Sequence, residues 1–400
     1  MTGGEGTAQS ARVASFGTTI FTEMSRLALA SGAVNLGQGF PDFDGPEEIR
    51  DAAISAIRGG VNQYAITTGA VALREAVAAH ATRFYGQTVD PASEVVVTSG
   101  ATEAIFDTVM AFVDPGDEVV LFEPYYDSYD ASVRMAGGVP KYVRLRAPDA
   151  AHARWWFDEA ELAAAFSERT ALVMLNTPHN PTGKVFTREE IALIGALVER
   201  FDAVLLSDEV YEHLVFEPAV HVRPATVGQV GKRTVTISSG GKSFSFTGWK
   251  IGWALGPAPL LAAVQKAHQW VTFATAAPFQ AAIAKALALP DSYFSGFRDD
   301  YRRRHQLVAN ALAAAGFMPL PCEGTYFVIA DVASAGFEDD VAFCRWLTTS
   351  AKVAAIPPSV FCSADTRPHL ATLARFAFCK SDAVLEEGAR RLATLPPRLR

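Results

Sequence analysis

Two lysines, Lys242 and Lys250, stand in the stretch SSGGKSFSFTGWKIGW, residues 238–253. Glycines and hydroxyls surround the first; aromatics and a Gly-Trp pair flank the second. A lysine amine can form a Schiff base with a carbonyl, and a lysine ammonium can hold a phosphate as a point charge. Either task needs partners from elsewhere in the chain, and short apolar runs end beside such partners. EVVVTSG (94–100) leads into Gly100, Ala101 and Thr102 at the start of a helical stretch. DEVVLFEPYY (117–126) ends on Tyr125 and Tyr126, and ALVMLNTP (171–178) leads to Asn180 in NPTG. AVLLSDEV (203–210) carries Asp208 and is followed by Tyr211; TVTISS (234–239) ends on Ser238 and Ser239, shortly before Lys242.

Each of these alone has a plain structural reading. The Gly100 turn could be ordinary helix capping, Tyr126 could be packing, and NPTG has the composition of a turn. Asp208 could cap a helix or pair internally, since a buried carboxylate needs a partner. Together they match one cofactor. A helix N-terminus, hydroxyls and a cation suit a phosphate. An aromatic face suits a ring, a carboxylate suits a protonated ring nitrogen, and an amide or phenol suits a phenolic oxygen. A lysine suits an aldehyde. That set describes pyridoxal 5'-phosphate.

The elements that must position these residues read as α/β. From 47 to 290, apolar runs of four to eight residues alternate with helical stretches such as TREEIALIGALVERF (187–201). This is the pattern of a mostly parallel sheet covered on both faces, with ligands beyond the carboxyl ends of the strands. Residues 291–400 read as a smaller α+β domain opening on a charged helix at 298–316. Residues 1–46 read as an N-terminal arm and part of that small domain, flexible over 1–15, with a short helix at 18–33. A length of 400 residues agrees with two domains. The net charge of −8 argues against a nucleic-acid surface. No run approaches the roughly 18 apolar residues of a membrane span. MTGGEGTAQSARVAS has no apolar signal core. Four cysteines without a CxxC pair read as reduced, so the expected location is cytoplasmic. No metal site is expected. GQGFPDFDG has the wrong spacing for a dinucleotide fingerprint.

These motifs carry a resemblance. VNLGQGFPDF (34–43), NQY (62–64), TSGATEAI (98–105), EPYYDSY (123–129), NTPHNPTGKV (176–185), SDEVYEHLVF (207–216), GGKSFSFTGWKIGWALG (240–256), GTYF (324–327), AIPPSVF (355–361) and ARFAFCK (374–380) occur in order. The chain thereby resembles the fold-type I, class I/II aminotransferases. Within them it is similar to the branch of kynurenine aminotransferase/glutamine transaminase K, methionine aminotransferase and the actinobacterial succinyldiaminopimelate aminotransferases. The resemblance implies a large domain with a mostly parallel seven-stranded sheet plus the smaller domain. It implies that Lys242 forms the internal aldimine and shuttles the Cα proton, and that Asp208 pairs with the ring nitrogen. Asn180 and Tyr211 would bond the phenolic oxygen, and Tyr126 would stack on the ring. Gly100, Ala101, Thr102, Ser239 and Lys250 would hold the phosphate, joined by Tyr64 from a partner subunit in a homodimer. Arg375 would grip the substrate carboxylate with Asn180 and the Gly37 backbone. Phe21, Tyr126, Phe273 and Ala274 would lie near the substrate side chain.

Arg375 also stands on its own residues. It interrupts the apolar run LARFAF, and a buried arginine needs an anion. Its planar fork suits a carboxylate, from a substrate or from an internal Asp or Glu. The implied reaction is ping-pong transamination, through aldimine and ketimine forms, from an L-amino acid to a 2-oxo acid. WVTFATAAP (270–278) holds no arginine for a second carboxylate. That favours neutral, apolar or aromatic amino acids, or a long acylated diamino acid. The Gly/Ser-rich approach to Lys242 and the pair Thr67-Thr68 depart from the family's usual pattern. They leave open a second reading: a specialised biosynthetic enzyme on the same fold that diverts a quinonoid to elimination, replacement, cyclisation or carbon–carbon bond formation.

Overall fold

The computed structural model describes residues 9–14 and 16–395. Of the arm expected to be flexible, residues 1–8 and 15 lie outside the described residues, and Ala11–Ala14 form a single helical turn. The expected seven-stranded sheet is present. Its spatial order is Val95–Thr98, Gly252–Leu255, Thr234–Ser239, Val204–Asp208, Thr170–Asn176, Glu118–Glu123, Val139–Arg144. All neighbours run parallel except Gly252–Leu255, which is antiparallel to both of its neighbours. The central strands are buried except for the partly exposed Ala171 and Val204, which is why they read as continuous apolar runs.

Val139–Arg144 is the strand that the apolar pattern did not reveal. It forms the sheet edge, carries Pro140, Lys141 and Arg144, and buries only Val143. Edge strands tolerate proline and charge because one side of the ladder is free. The helix Arg188–Arg200 begins where its sequence says it should. Thr187 and Glu190 form a reciprocal capping box, worth about 1 kcal/mol.

The last third contains the antiparallel strands Met318–Pro319, Phe327–Asp331 and Leu373–Ala377. Its long helix spans Asp291–Ala314 and so starts earlier than the charged run suggests. Phe294 supplies the reason: it is buried and packs on Phe84 and His213, so the first two turns have an apolar anchor of their own. Near the N-terminus, Thr19 caps the helix Ile20–Ser31. The short strand Val34–Asn35 then pairs with Val353–Ala354, bringing Leu36 and Met24 into one core with Phe343, Phe376 and Leu385. Among the described residues, no helix is long and apolar enough to cross a membrane.

Candidate active site

A cavity of about 390 Å³ opens beyond the carboxyl ends of the parallel strands. It is lined by Gly100, Ala101, Thr102, Tyr126, Asn180, Asp208, Tyr211, Ser239, Lys242, Lys250, Phe21 and Arg375. These come from strand ends, from the N-terminal helix and from the last strand, so tertiary folding gathers residues separated by more than 350 positions. Gly37 joins them through its carbonyl, which accepts from Arg375.

At one end of the cavity the helix Ala101–Phe112 begins after Gly100, and its first residues, whose N–H groups have no partner within the helix, line the wall. Gly100 has φ +80°, and a Cβ there would stand 3.1 Å from Lys250 Nζ. The glycine therefore lets the Lys250 ammonium cross the helix start. A Cβ on Gly252 would stand 2.6 Å from the Ala101 nitrogen, so the neighbouring strand also approaches closely only as glycine.

At the centre, Asp208 is buried at the end of its strand. Burial pushes its carboxyl up to about 6, against hydrogen bonds from the Tyr129 hydroxyl and the Val210 N–H that favour the ionised form. Tyr129 Oη lies 2.6 Å from Asp208 Oδ2. Asn176 holds the same corner: its Nδ2 donates to the Asp208 carbonyl at 2.9 Å, and its Oδ1 accepts from the Asn180 N–H at 2.6 Å. Lys242 lies in the short helix Gly240–Ser243 and donates to Tyr326 Oη at 2.7 Å. Tyr326 in turn donates to the Gly39 carbonyl. Burial brings the Lys242 ammonium down to about 8, and the cations Lys250 and Arg375 favour the same direction. A free amine is therefore accessible near neutral pH.

Arg375 sits fully buried in its strand. It donates to Asn180 Oδ1 at 3.0 Å and to the Gly37 carbonyl at 2.8 Å, and its Nε has no partner. The Phe327 ring lies under the guanidinium, 4.1 Å from centroid to Cζ. Burial lowers its pKa to about 10. Its hydrogen-bond partners are a carbonyl and an amide oxygen, not a carboxylate, so a buried cation faces the cavity with donor capacity to spare.

Tyr64, expected to serve a partner subunit, and Phe273 lie outside this chain's cavity. Tyr64 is 85% exposed, and Phe273, with φ +69°, is 46% exposed. Their rings meet edge to face at 5.5 Å on the surface, outside the cavity. Phe273 and Ala274 follow the end of the helix Ala258–Val271, and neither lines this chain's own cavity. Sequence reasoning missed Tyr129, Tyr326, Asn176, Gln38 and Asp127, all of which line the cavity or bond its lining residues. Asn176 had a usable signal, an amide closing a buried apolar run.

The residue set fits pyridoxal phosphate. It offers a helix start with an ammonium for the phosphate, a buried carboxylate needing a cationic partner, and an amine of lowered pKa. The comparisons agree. Residues 31–392 match the family of class I and II aminotransferases, and the chain belongs to that family. These are pyridoxal-phosphate-dependent enzymes of fold type I that move amino groups between amino and oxo acids. A solved structure of N-succinyldiaminopimelate aminotransferase from Mycobacterium tuberculosis is similar, with TM-score 0.93 and 46% identity over 97% of this chain and 100% of that one. Methionine aminotransferase of Escherichia coli is 44% identical over 95% of this chain and 96% of its own length. Kynurenine–oxoglutarate transaminase of Dictyostelium discoideum is 37% identical over 96% of each. None of these favours the reading of diverted chemistry.

Proposed function

We propose that this aminotransferase takes a neutral, apolar or aromatic L-amino acid, or a long acylated diamino acid, and serves cytoplasmic amino-acid biosynthesis as a homodimer. The carrying observation is Arg375, a buried guanidinium with an unpartnered Nε, in the same cavity as Lys242 and Asp208. Pyridoxal phosphate, when bound, supplies an aldehyde that takes up the amino group and a ring that withdraws electrons from the substrate Cα.

The chain's residues then have separable tasks. Arg375, fixed by Asn180 Oδ1 and the Gly37 carbonyl, would hold the substrate carboxylate and so orient the substrate Cα. Lys242 Nζ takes the proton from Cα and returns it later; Tyr326 Oη holds that nitrogen in place between the two events. Asp208, ionised with help from Tyr129, keeps the ring nitrogen protonated. Tyr211 and Asn180 bond the phenolic oxygen, and Tyr126 covers a ring face. Ala101, Thr102, Ser239 and Lys250 hold the phosphate.

Among the described residues lining the cavity, Arg375 is the sole arginine, and Phe21, Phe40, Tyr126 and Phe327 provide apolar surface. This supports a side chain without a second carboxylate. The exposed Tyr64–Phe273 pair supports a dimer in which both rings complete the neighbouring site. We read residues 47–290 as the cofactor-binding domain and residues 291–400, with part of 1–46, as the smaller one. The pairing of Val34–Asn35 with Val353–Ala354 supports that division.

The test is a half-reaction screen. Single amino acids are added to the holoenzyme, and the pyridoxamine form and the oxo acid are measured. Methionine, glutamine or an aromatic amino acid should convert the cofactor stoichiometrically. Release of a side-chain fragment with the cofactor unchanged would overturn the proposal.

A further inference from the structure

Next to the Ser99–Thr102 turn lies a buried cluster that none of these tasks uses. Glu103 stands in the first turn of the helix Ala101–Phe112, and His268 is fully buried in the helix Ala258–Val271. His268 Nδ1 is 3.0 Å from Glu103 Oε1, and its Nε2 is 3.0 Å from the Thr67 carbonyl. Glu103 also accepts from the Ser99 N–H and the Thr272 hydroxyl. Both Glu103 oxygens thus accept hydrogen bonds, and these bonds, set against its burial, hold the carboxyl below the usual range, so it is ionised at neutral pH. A carbonyl and an ionised carboxylate only accept, so both ring nitrogens of His268 carry hydrogen and the ring is an imidazolium.

Burial opposes charge on both partners, yet their mutual hydrogen bond holds Glu103 below and His268 above the usual values. Asp107, one turn further along, lies 3.7 Å from the same Nδ1, and its two oxygens have no hydrogen-bond partner. Glu103 and Asp107 are the titratable groups facing the imidazolium; the Thr67 carbonyl and the Thr272 hydroxyl complete its polar surroundings.

A second set of bonds runs alongside. Ser99 Oγ donates to Thr275 Oγ1 at 3.0 Å. Gln280 then joins the Thr275 carbonyl to the Ala70 N–H at 2.9 and 2.7 Å. The helix-start turn, the loop at 67–70 and the segment 272–275 are thus tied together, with the imidazolium at the junction. The same loop carries Tyr64, three residues before Thr67.

We propose that His268 is a positioning residue for the phosphate end of the site. Its imidazolium fixes the Ser99–Thr102 turn against the Thr67 loop, so that the helix-start N–H groups and Lys250 converge on one dianion. The inference rests on the reading of that turn as the phosphate-binding element.

The experiment compares binding of pyridoxal 5'-phosphate and of pyridoxal, which lacks the phosphate, to the apo forms of the wild type, His268→Leu and His268→Gln. Binding is read as absorbance of the lysine adduct. His268→Leu should weaken binding of the phosphorylated compound about tenfold, the scale of a lost charge-assisted hydrogen bond, and leave pyridoxal unchanged. His268→Gln, whose amide reaches Thr67 without charge for Glu103, should fall between, and it decides by the same criterion if the leucine variant does not fold. Equal weakening of both compounds, or no change in either, would overturn the proposal. A wild type that binds neither would overturn the cofactor reading instead.

Discussion

The Tyr129 hydroxyl donates to Asp208 Oδ2 across 2.6 Å, with both side chains buried in the cavity wall. Burial drives the carboxyl toward its neutral form, and the phenol opposes it by bonding the ionised form. Tyr129→Phe should therefore raise the Asp208 pKa above about 6 and move the acid limb of the activity profile to higher pH. Turnover at neutral pH should fall about tenfold, the scale of a hydrogen bond to a charged group. Asp208→Asn, which removes the charge itself, should fall further. Steady-state rates from pH 5 to 9 check both; an unmoved limb in Tyr129→Phe would contradict the assignment.

The two lysines should separate by phenotype. Lys242 lies at the cavity centre with its pKa brought to about 8, whereas Lys250 crosses Gly100 at the helix start. Lys242→Ala should abolish turnover at any cofactor concentration. Lys250→Ala should weaken cofactor retention and recover much of its activity when excess cofactor is added. Activity titrated against added cofactor distinguishes the two.

Arg375 predicts a loss confined to substrates with a carboxylate. Arg375→Leu should raise the amino-acid KM about a hundredfold or more, since a bidentate charge-assisted pair is lost. Arg375→Lys should recover only part of it, because a point charge cannot replace the planar fork. Simple amines without a carboxylate should react equally with wild type and variants.

Asp107 predicts a stability effect of definite sign. Burial, then the neighbouring Glu103 carboxylate, push its carboxyl up to about 8. In the unfolded chain it titrates near 3.9. The folded state thus keeps a proton that the unfolded state has lost. The favourable contribution is complete below pH ~4 and disappears as pH rises through about 8. Asp107→Asn should be the more stable form at pH 9, by on the order of a few kcal/mol. The difference should shrink toward pH 5. Thermal melts across that range give the answer; a constant difference would contradict it.

What could be read from the sequence follows a physical division. Asp208, Lys242 and Asn180 were legible because each ends or follows a buried apolar run, where a polar side chain needs a reason. Arg375 was legible for the same reason, inside one. Tyr129 and Tyr326 were not, because a tyrosine in a helix or next to a strand looks like packing. Their partners lie 79 and 84 positions away. The edge strand Val139–Arg144 was hidden by its proline and charges. Tyr64 and Phe273 meet on the surface, where any task would need a second subunit that no local sequence pattern reveals.

The central claim is that Lys242 is the residue that carries the cofactor. Borohydride reduction of the holoenzyme, followed by proteolysis and mass spectrometry, tests it directly. The phosphopyridoxyl mass should appear on the peptide containing Lys242, with loss of the visible absorption band and no label in Lys242→Ala. A label on Lys250 or another lysine, or a wild type with neither band nor label after supply of the cofactor, would contradict the account.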